Sequence, residues 1–244
     1  MCRNGRYTEH GIRGLHGFCA PELRVDPDFL VIVPPALGQH AVLLEPASIV
    51  AKAWEHIERI GHRAHWFPER VLITGAGPIG LLAALLGKQR GLAVTVFDRV
   101  ETGPKPALCR DLGAEYAHGS LSDLLEKQPP DIVIECTGVD AVVLDVMSRN
   151  ARAGIVCLVG VSSQGRQVSV DMGALNRSIV LDNDVVFGSV NANRRHYELA
   201  VAALTQADPD WLGRLITRRL PLDRWQDALR REEDDIKVVI DVAS

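Results

Sequence analysis

Thr74-Gly75-Ala76-Gly77-Pro78-Ile79-Gly80 is the stretch whose reading decides the fold. It follows a short apolar run, Val71-Leu72-Ile73, and opens a second run from Ile79 to Arg90 that has the length of a helix. A bare G-x-G-x-x-G spacing is weak, but between a strand and a helix each glycine acquires a task. Gly75 suits a tight turn, Gly77 lets the backbone approach a pyrophosphate, and Gly80 lets the helix lie close on the strand. Amides at the helix N-terminus, with Ala76, Pro78 and Ile79 completing the loop, then meet phosphate charge. The alternative is a glycine turn that holds no ligand.

Outward from the loop, strand and helix alternate. Ala93 to Phe97 reads as a strand, Pro106 to Leu112 as a helix stopped by Gly113, and Ile132-Val133-Ile134 and Ile155 to Val159 as further strands. These strands are apolar without polar alternation, the pattern of strands buried on both faces of a parallel sheet. Val185 to Asn191 reads as one more strand. Pro46 to about Gly61 is a helix with Ile49, Ala53, Trp54 and Ile57 on one side. The fold class is therefore α/β, a doubly wound parallel sheet of Rossmann type over residues 46–192. Residues 1–45 are irregular. Residues 193–244 hold a helix through Tyr197 to Leu204 and end in a strand at Ile236 to Val242.

In an open α/β sheet, ligands lie outside the carboxyl ends of the strands, and the residues there become candidates for contact with a dinucleotide. Asp98 ends the strand after the loop and can accept hydrogen bonds from the adenosine ribose hydroxyls. It would repel a 2′-phosphate, which favours NAD over NADP, yet Arg99 follows at once, before Val100, and Lys105 is close. Either cation could pair with that phosphate. The competing reading leaves Asp98 a solvated strand-end residue. Thr137 follows the strand ending Glu135-Cys136, Val159-Gly160-Val161 ends the next, and Ser189-Val190-Asn191 ends the last. The Asn191 carboxamide can donate and accept at once, useful for a nicotinamide or a sugar hydroxyl; equally, it is a residue type that forms turns after strands.

Bulk properties narrow the partners. A net charge of −4 over 244 residues argues against nucleic acid and anionic membranes, and no apolar run approaches the roughly 20 residues needed to span a bilayer. The five cysteines, Cys2, Cys19, Cys109, Cys136 and Cys157, form no disulfide-like framework, and the first residues lack a secretory apolar stretch. A cytoplasmic protein is expected.

The sequence resembles the C-terminal two-thirds of zinc-dependent medium-chain dehydrogenases, in the glucose 1-dehydrogenase branch. The resemblance rests on Cys2-Arg3-Asn4-Gly5-Arg6-Tyr7-Thr8-Glu9-His10-Gly11-Ile12, His16-Gly17-Phe18, Leu43-Leu44-Glu45-Pro46, the glycine loop, and Gly188-Ser189-Val190-Asn191. It implies oxidation of an aldose at C1 to the lactone, with hydride passing to NAD or NADP. In that family a catalytic zinc polarises the reacting hydroxyl. Glu45 falls on the carboxylate at or near this zinc, Asn191 on the residue meeting nicotinamide and sugar, and Cys2 on the last of four cysteines around a structural zinc. The flanking segments then correspond to parts of a GroES-like, β-rich catalytic domain, and a homo-oligomer joined through the sheet edge near Val185 to Val190 is implied.

The sequence also departs from the pattern. The cysteine, histidine and acid expected ahead of Glu45 have no counterpart here, and one thiolate cannot make a tetrahedral zinc site. The expectation is a fragment, or a start placed inside a longer protein, in which Glu45 meets zinc only when the preceding region is supplied. Otherwise Glu45 is a buried or half-buried acid capping its helix. Exposed apolar surface and poor solubility are expected where that region would dock. His10, His16, His56, His62 and His65 lack metal-motif spacing and read as solvated. A dinucleotide-binding module without chemistry is the alternative function.

Overall fold

The structure is a computed structural model describing residues 4–165 and 167–242. The chain opens with two short paired strands, β1 (Glu9–His10) and β2 (Gly14–Leu15). After an irregular stretch come α1 (Leu44–Gly61), β3 (Arg70–Thr74), α2 (Pro78–Gln89), β4 (Ala93–Phe97), α3 (Pro104–Asp111) and β5 (Glu115–Ala117). Then follow α4 (Leu121–Lys127), β6 (Ile132–Glu135), α5 (Asp140–Ser148), β7 (Ile155–Leu158), α6 (Met172–Asp182), β8 (Val185–Gly188), α7 (Arg194–Thr205) and α8 (Pro209–Leu215). The chain closes with β9 (Ile216–Pro221), α9 (Trp225–Ala228) and β10 (Lys237–Asp241).

Two compact units emerge. The larger is Val33–Leu215; the smaller joins the residues up to Ile32 with those from Ile216 onward. The larger unit thus includes α7, which the sequence reading grouped with the segment from residue 193, because α7 packs along α1.

The larger unit contains a parallel sheet of six strands among the described residues, in the order β5-β4-β3-β6-β7-β8. This is the doubly wound order, and its direction reverses between β3 and β6. The apolar runs behave as their composition predicts: Val71 to Thr74 and all of β6 are buried. Leu72, Val133 and Val156 stand side by side in register and pack with Leu121 and Leu125 of α4 and Val146 of α5. Helix α1 buries Ala47, Val50, Ala53, Trp54 and Ile57, and the Trp54 indole N–H donates to the Ala83 carbonyl of α2 at 3.2 Å. No helix among the described residues is long and apolar enough to cross a membrane.

The smaller unit is built on the parallel pair β9 and β10. Its centre is polar: the Arg218 guanidinium forks onto Asp235, with Nε–Oδ1 at 2.7 Å and Nη2–Oδ2 at 2.6 Å, and also reaches Glu232 at 2.7 Å.

Candidate functional site

The site grows from the turn between β3 and α2. Gly75 takes φ +87°, and a Cβ on Gly80 would lie 1.7 Å from the Gly75 carbonyl oxygen, so loop and helix touch backbone to backbone. A Cβ on Gly77 would meet nothing within 4 Å. Gly77 is the N-cap of α2, no side chain caps it, and Pro78 follows. Open space thus lies over a helix N-terminus whose unpaired amides and dipole favour an anion such as a phosphate.

Asp98 reaches this loop across the sheet. Its Oδ2 accepts from the Ala76 N–H at 2.6 Å and from the Lys105 ammonium at 3.2 Å, while Oδ1 accepts from the Val100 N–H at 3.3 Å. The two side chains are 10% and 6% exposed. Burial pushes the Asp98 carboxyl up, but the Ala76 amide and the Lys105 charge outweigh it and hold the group below its ordinary value. Lys105 is therefore not a free cation beside a phosphate, one of the two readings open from sequence; it is committed to Asp98. Arg99 is exposed. The Tyr116 hydroxyl donates to the Val100 carbonyl and fixes the turn after Asp98.

Across the switch point stands Glu135, fully buried at the end of β6. Its carboxylate accepts from the Thr137 N–H at 2.6 Å, the Thr74 hydroxyl at 3.2 Å, the Gly138 N–H at 3.1 Å and the Thr137 hydroxyl. Thr137 also abuts Gly75, since a Cβ there would sit 3.0 Å from its Cγ2. One acid thus ties the β6 turn to β3 and to the glycine loop. Sequence reasoning quoted Glu135 as a strand-end residue and missed this role. The available signal was an acid closing an otherwise apolar strand just before Thr-Gly.

The remaining strand ends line up in sequence. Gly160 lies against the Gly138 amide and the Glu135 carboxylate, where a Cβ would come within 2.2 and 2.7 Å. Val159 donates its N–H to the Glu135 carbonyl, and Val161 is 86% exposed. Ser189 donates its N–H to Leu158 at 2.9 Å, and its hydroxyl is buried without a hydrogen-bond partner. The Val190 carbonyl accepts from Lys52 of α1 at 2.7 Å, a contact the sequence did not disclose. Asn191 is exposed and takes φ +59°, the left-handed region that Asn tolerates in turns.

Glu45 occupies the first turn of α1 and is exposed, not a buried or half-buried cap; Leu43 is the N-cap, without a side-chain hydrogen bond. Its neighbours in sequence, Leu44 and Pro46, take the buried positions instead. Of the histidines expected to be solvated, His10, His16, His62 and His65 are exposed and His56 is half-buried. His196 of α7, which the sequence reading did not single out, comes against Glu55 and His56 of α1, with one potential ligand atom from each within 4.8 Å of the others. His196 Nδ1 accepts from the Asn193 N–H at 3.1 Å, so Nε2 carries the proton and donates to Glu55 Oε2 at 2.8 Å. Glu55 Oε1 holds Arg59 and Arg195, each at 2.7 Å. With both His196 ring nitrogens and the Glu55 carboxylate engaged in this way, the pair fits a polar lock between two helices better than a metal site.

Residues 38–242 match the family described as glucose dehydrogenase C-terminus. The chain belongs to the glucose dehydrogenase family. Glucose 1-dehydrogenase of Methanocella arvoryzae is 36% identical over 252 residues, which cover 100% of this chain and 70% of the relative. Glucose 1-dehydrogenase 1 of Caldivirga maquilingensis is 40% identical over 246 residues, covering 99% and 70%. Among solved structures, the glucose dehydrogenase of Haloferax mediterranei in complex with NADP, Zn and gluconolactone superposes with a TM-score of 0.93 at 28% identity, over 100% of this chain and 70% of that one.

Within this glucose dehydrogenase fold the two implied groups fare differently. The open cradle at Gly77 and the unpartnered Ser189 hydroxyl fit a dinucleotide along the strand ends. A catalytic zinc does not find its ligands around Glu45, which is outside the group of three potential ligands found among the described residues. Cys2, the position implied for a structural zinc, lies outside the described residues.

Proposed function

We propose that the chain serves the NAD(P)-dependent oxidation of a glucose-like aldose at C1 to the lactone. The observation that carries this reading is the glycine loop held by Asp98 on one side and by Thr137 on the other, with open space at Gly77. A nicotinamide held in this site would supply the acceptor for the hydride lost from C1, with the C1 hydroxyl proton released to solvent. The residues of this chain bind and orient. The α2 N-terminus with Gly75, Ala76, Gly77, Pro78, Ile79 and Gly80 receives the pyrophosphate. Asp98, with Arg99 and Val100 beyond it, meets the adenosine ribose, and Thr137, Val159, Gly160, Val161 and Ser189 line the path toward Asn191. Asn191 and Glu45 stand on the sugar side of the reaction, Glu45 at the position implied for a zinc ligand. Among the described residues, no second or third zinc ligand gathers around Glu45.

In this reading residues 46–192 form the nucleotide-binding domain, and residues 1–45 and 193–244 belong to the β-rich catalytic domain. A cytoplasmic location is in keeping with the free thiols of Cys19, Cys109, Cys136 and Cys157. The strand β8, at one end of the sheet order, offers an edge for pairing two copies.

Titration calorimetry with NAD and NADP, with zinc content and glucose turnover determined on the same sample, tests the reading. Nucleotide binding with gluconolactone formation supports it. Nucleotide binding without turnover at any zinc level favours a dinucleotide-binding module, and absence of nucleotide binding overturns the site.

A further inference from the structure

The loop after β4 contains a charge where helix physics does not favour one. Lys105 stands in the first turn of α3, a helix whose N-cap, Gly103, offers no side chain and whose first turn contains no acid. A cation there opposes the helix dipole, and this one is also 5% exposed, so it has been taken out of water. Its partner is the Asp98 carboxylate at 3.2 Å. The same carboxylate closes the β4 end and accepts from the glycine-loop amide of Ala76. Any nucleotide whose ribose reaches Asp98 therefore meets a carboxylate already paired with a buried ammonium.

That pairing bears on the choice of nucleotide. A lone carboxylate at the ribose repels a 2′-phosphate, and in a site shielded from solvent the repulsion is poorly screened. A carboxylate with its counter-charge beside it acts as a dipole, whose field falls faster with distance. Oδ1, which carries only the 3.3 Å contact from Val100, keeps acceptor capacity for a ribose hydroxyl. The pair thus keeps the hydroxyl acceptor and cancels much of the charge penalty.

We propose that Lys105 is a specificity-determining residue which, by neutralising Asp98 from inside the protein, lets this site take NADP as well as NAD. The inference rests on the reading of Asp98 as the ribose acceptor. Lys105 acts through Asp98 and touches neither sugar nor phosphate.

The test is calorimetric binding of NAD and NADP to the full chain and to three variants. In Lys105→Met the NADP dissociation constant rises about tenfold, while that of NAD moves by less than about threefold. In Asp98→Asn, NAD weakens through loss of the ribose acceptor and NADP holds or tightens. In the double variant Asp98→Asn with Lys105→Met the discrimination against NADP disappears, because no uncompensated carboxylate remains. If Lys105→Met does not fold, Lys105→Gln replaces it. Equal weakening of both nucleotides in the Lys105 variant overturns the proposal and leaves Lys105 a structural residue. Persistent loss of NADP alone in the double variant also overturns it, since Lys105 would then contact the phosphate directly. Should Asp98→Asn leave both nucleotides unchanged, the ribose reading itself fails, an outcome separate from failure at Lys105.

Discussion

The two compact units of this chain are held together by different physics. In the larger, Val33–Leu215, the sheet core is apolar, with Ile73, Leu81, Leu82, Val133, Ile134, Ile155 and Val156 each 0% exposed, and buried polar groups such as Glu135, Lys105, Glu55 and His196 are set into it. In the smaller, the buried hydrophobic residue among the described residues is Ile236, beside the buried Asp235, which the charge-assisted bonds of Arg218 hold at 2.6 and 2.7 Å. Phe29 at 80%, Ile32 at 89% and Leu229 at 74% exposure belong to the same unit. Burial of apolar surface is non-directional and cumulative, whereas a guanidinium–carboxylate fork is specific but contributes through few groups. The larger unit is therefore expected to unfold as one cooperative body and the smaller to open more readily.

The comparison breaks most visibly at Gly80. Gly80→Ala drives a Cβ to 1.7 Å from the Gly75 carbonyl, so β3 and α2 must separate. A loss of about 3 kcal/mol is expected, with nucleotide binding abolished and hydrogen exchange accelerated across β3, α2 and β6 together. Acceleration confined to the loop alone would mean the larger unit is not one body. Glu135→Ala comes next. It leaves the amides of Thr137 and Gly138 and the Thr74 hydroxyl without their acceptor in a buried place, at a cost of about 2–3 kcal/mol in chemical denaturation. Glu135→Gln keeps the shape but points an amide donor at other donors, and should fall between the parent and the alanine variant.

The same difference decided what could be read from sequence. The strands β3, β4, β6, β7 and β8 were legible because burial on both faces writes a continuous apolar run, and the glycine loop because backbone contact at Gly80 excludes any side chain. Asp98 was legible as the acid at the next strand end. Helices α4, α5 and α6 were passed over: they are 7, 9 and 11 residues long, about two to three turns over which an apolar period hardly repeats. In the smaller unit β9 went unread because Ile-Thr-Arg-Arg-Leu-Pro shows neither alternation nor an apolar run. The pairing of Lys105 with Asp98 and the meeting of His196 with Glu55 are tertiary facts. The latter spans 141 residues of sequence, and no local pattern announces it.

Acid sharpens the comparison at smaller amplitude. Hydrogen bonding to Arg218 holds the Asp235 carboxyl below its ordinary value, and Asp98 is likewise lowered once its amide and Lys105 contacts offset burial. A carboxyl whose folded pKa lies below its unfolded value of about 4 contributes stability that is complete above that value and is lost as pH falls toward the folded one. Both units should therefore weaken below about pH 4. With little apolar burial to fall back on, the smaller should lose amide protection first as pH falls. Arg218→Ala should reproduce that loss at neutral pH and leave exchange in β3 and β6 unchanged. Simultaneous loss in both units would show them to be coupled.

Thiol labelling gives the least perturbing measurement, since it changes no residue. Cys19, in the smaller unit, is exposed, whereas Cys109 and Cys157 in the larger are 0% exposed. Burial pushes the Cys109 thiol up to about 12, helped by the negative charge of Asp98, and burial pushes Cys157 to about 12 as well. Because the thiolate is the reacting species, both should be nearly inert near neutral pH until the unit opens. A disulfide reagent at pH 8 should modify Cys19 well ahead of Cys109 and Cys157. The lag between them then measures the opening free energy of the larger unit when reclosing is fast. Saturating NADP binds only the closed form and should lengthen the lag at Cys109, which lies on α3 one turn beyond Lys105, without changing Cys19. If Cys157 reacts as fast as Cys19, the sheet is not closed on the labelling timescale, and the contrast between an apolar body and a polar one does not hold.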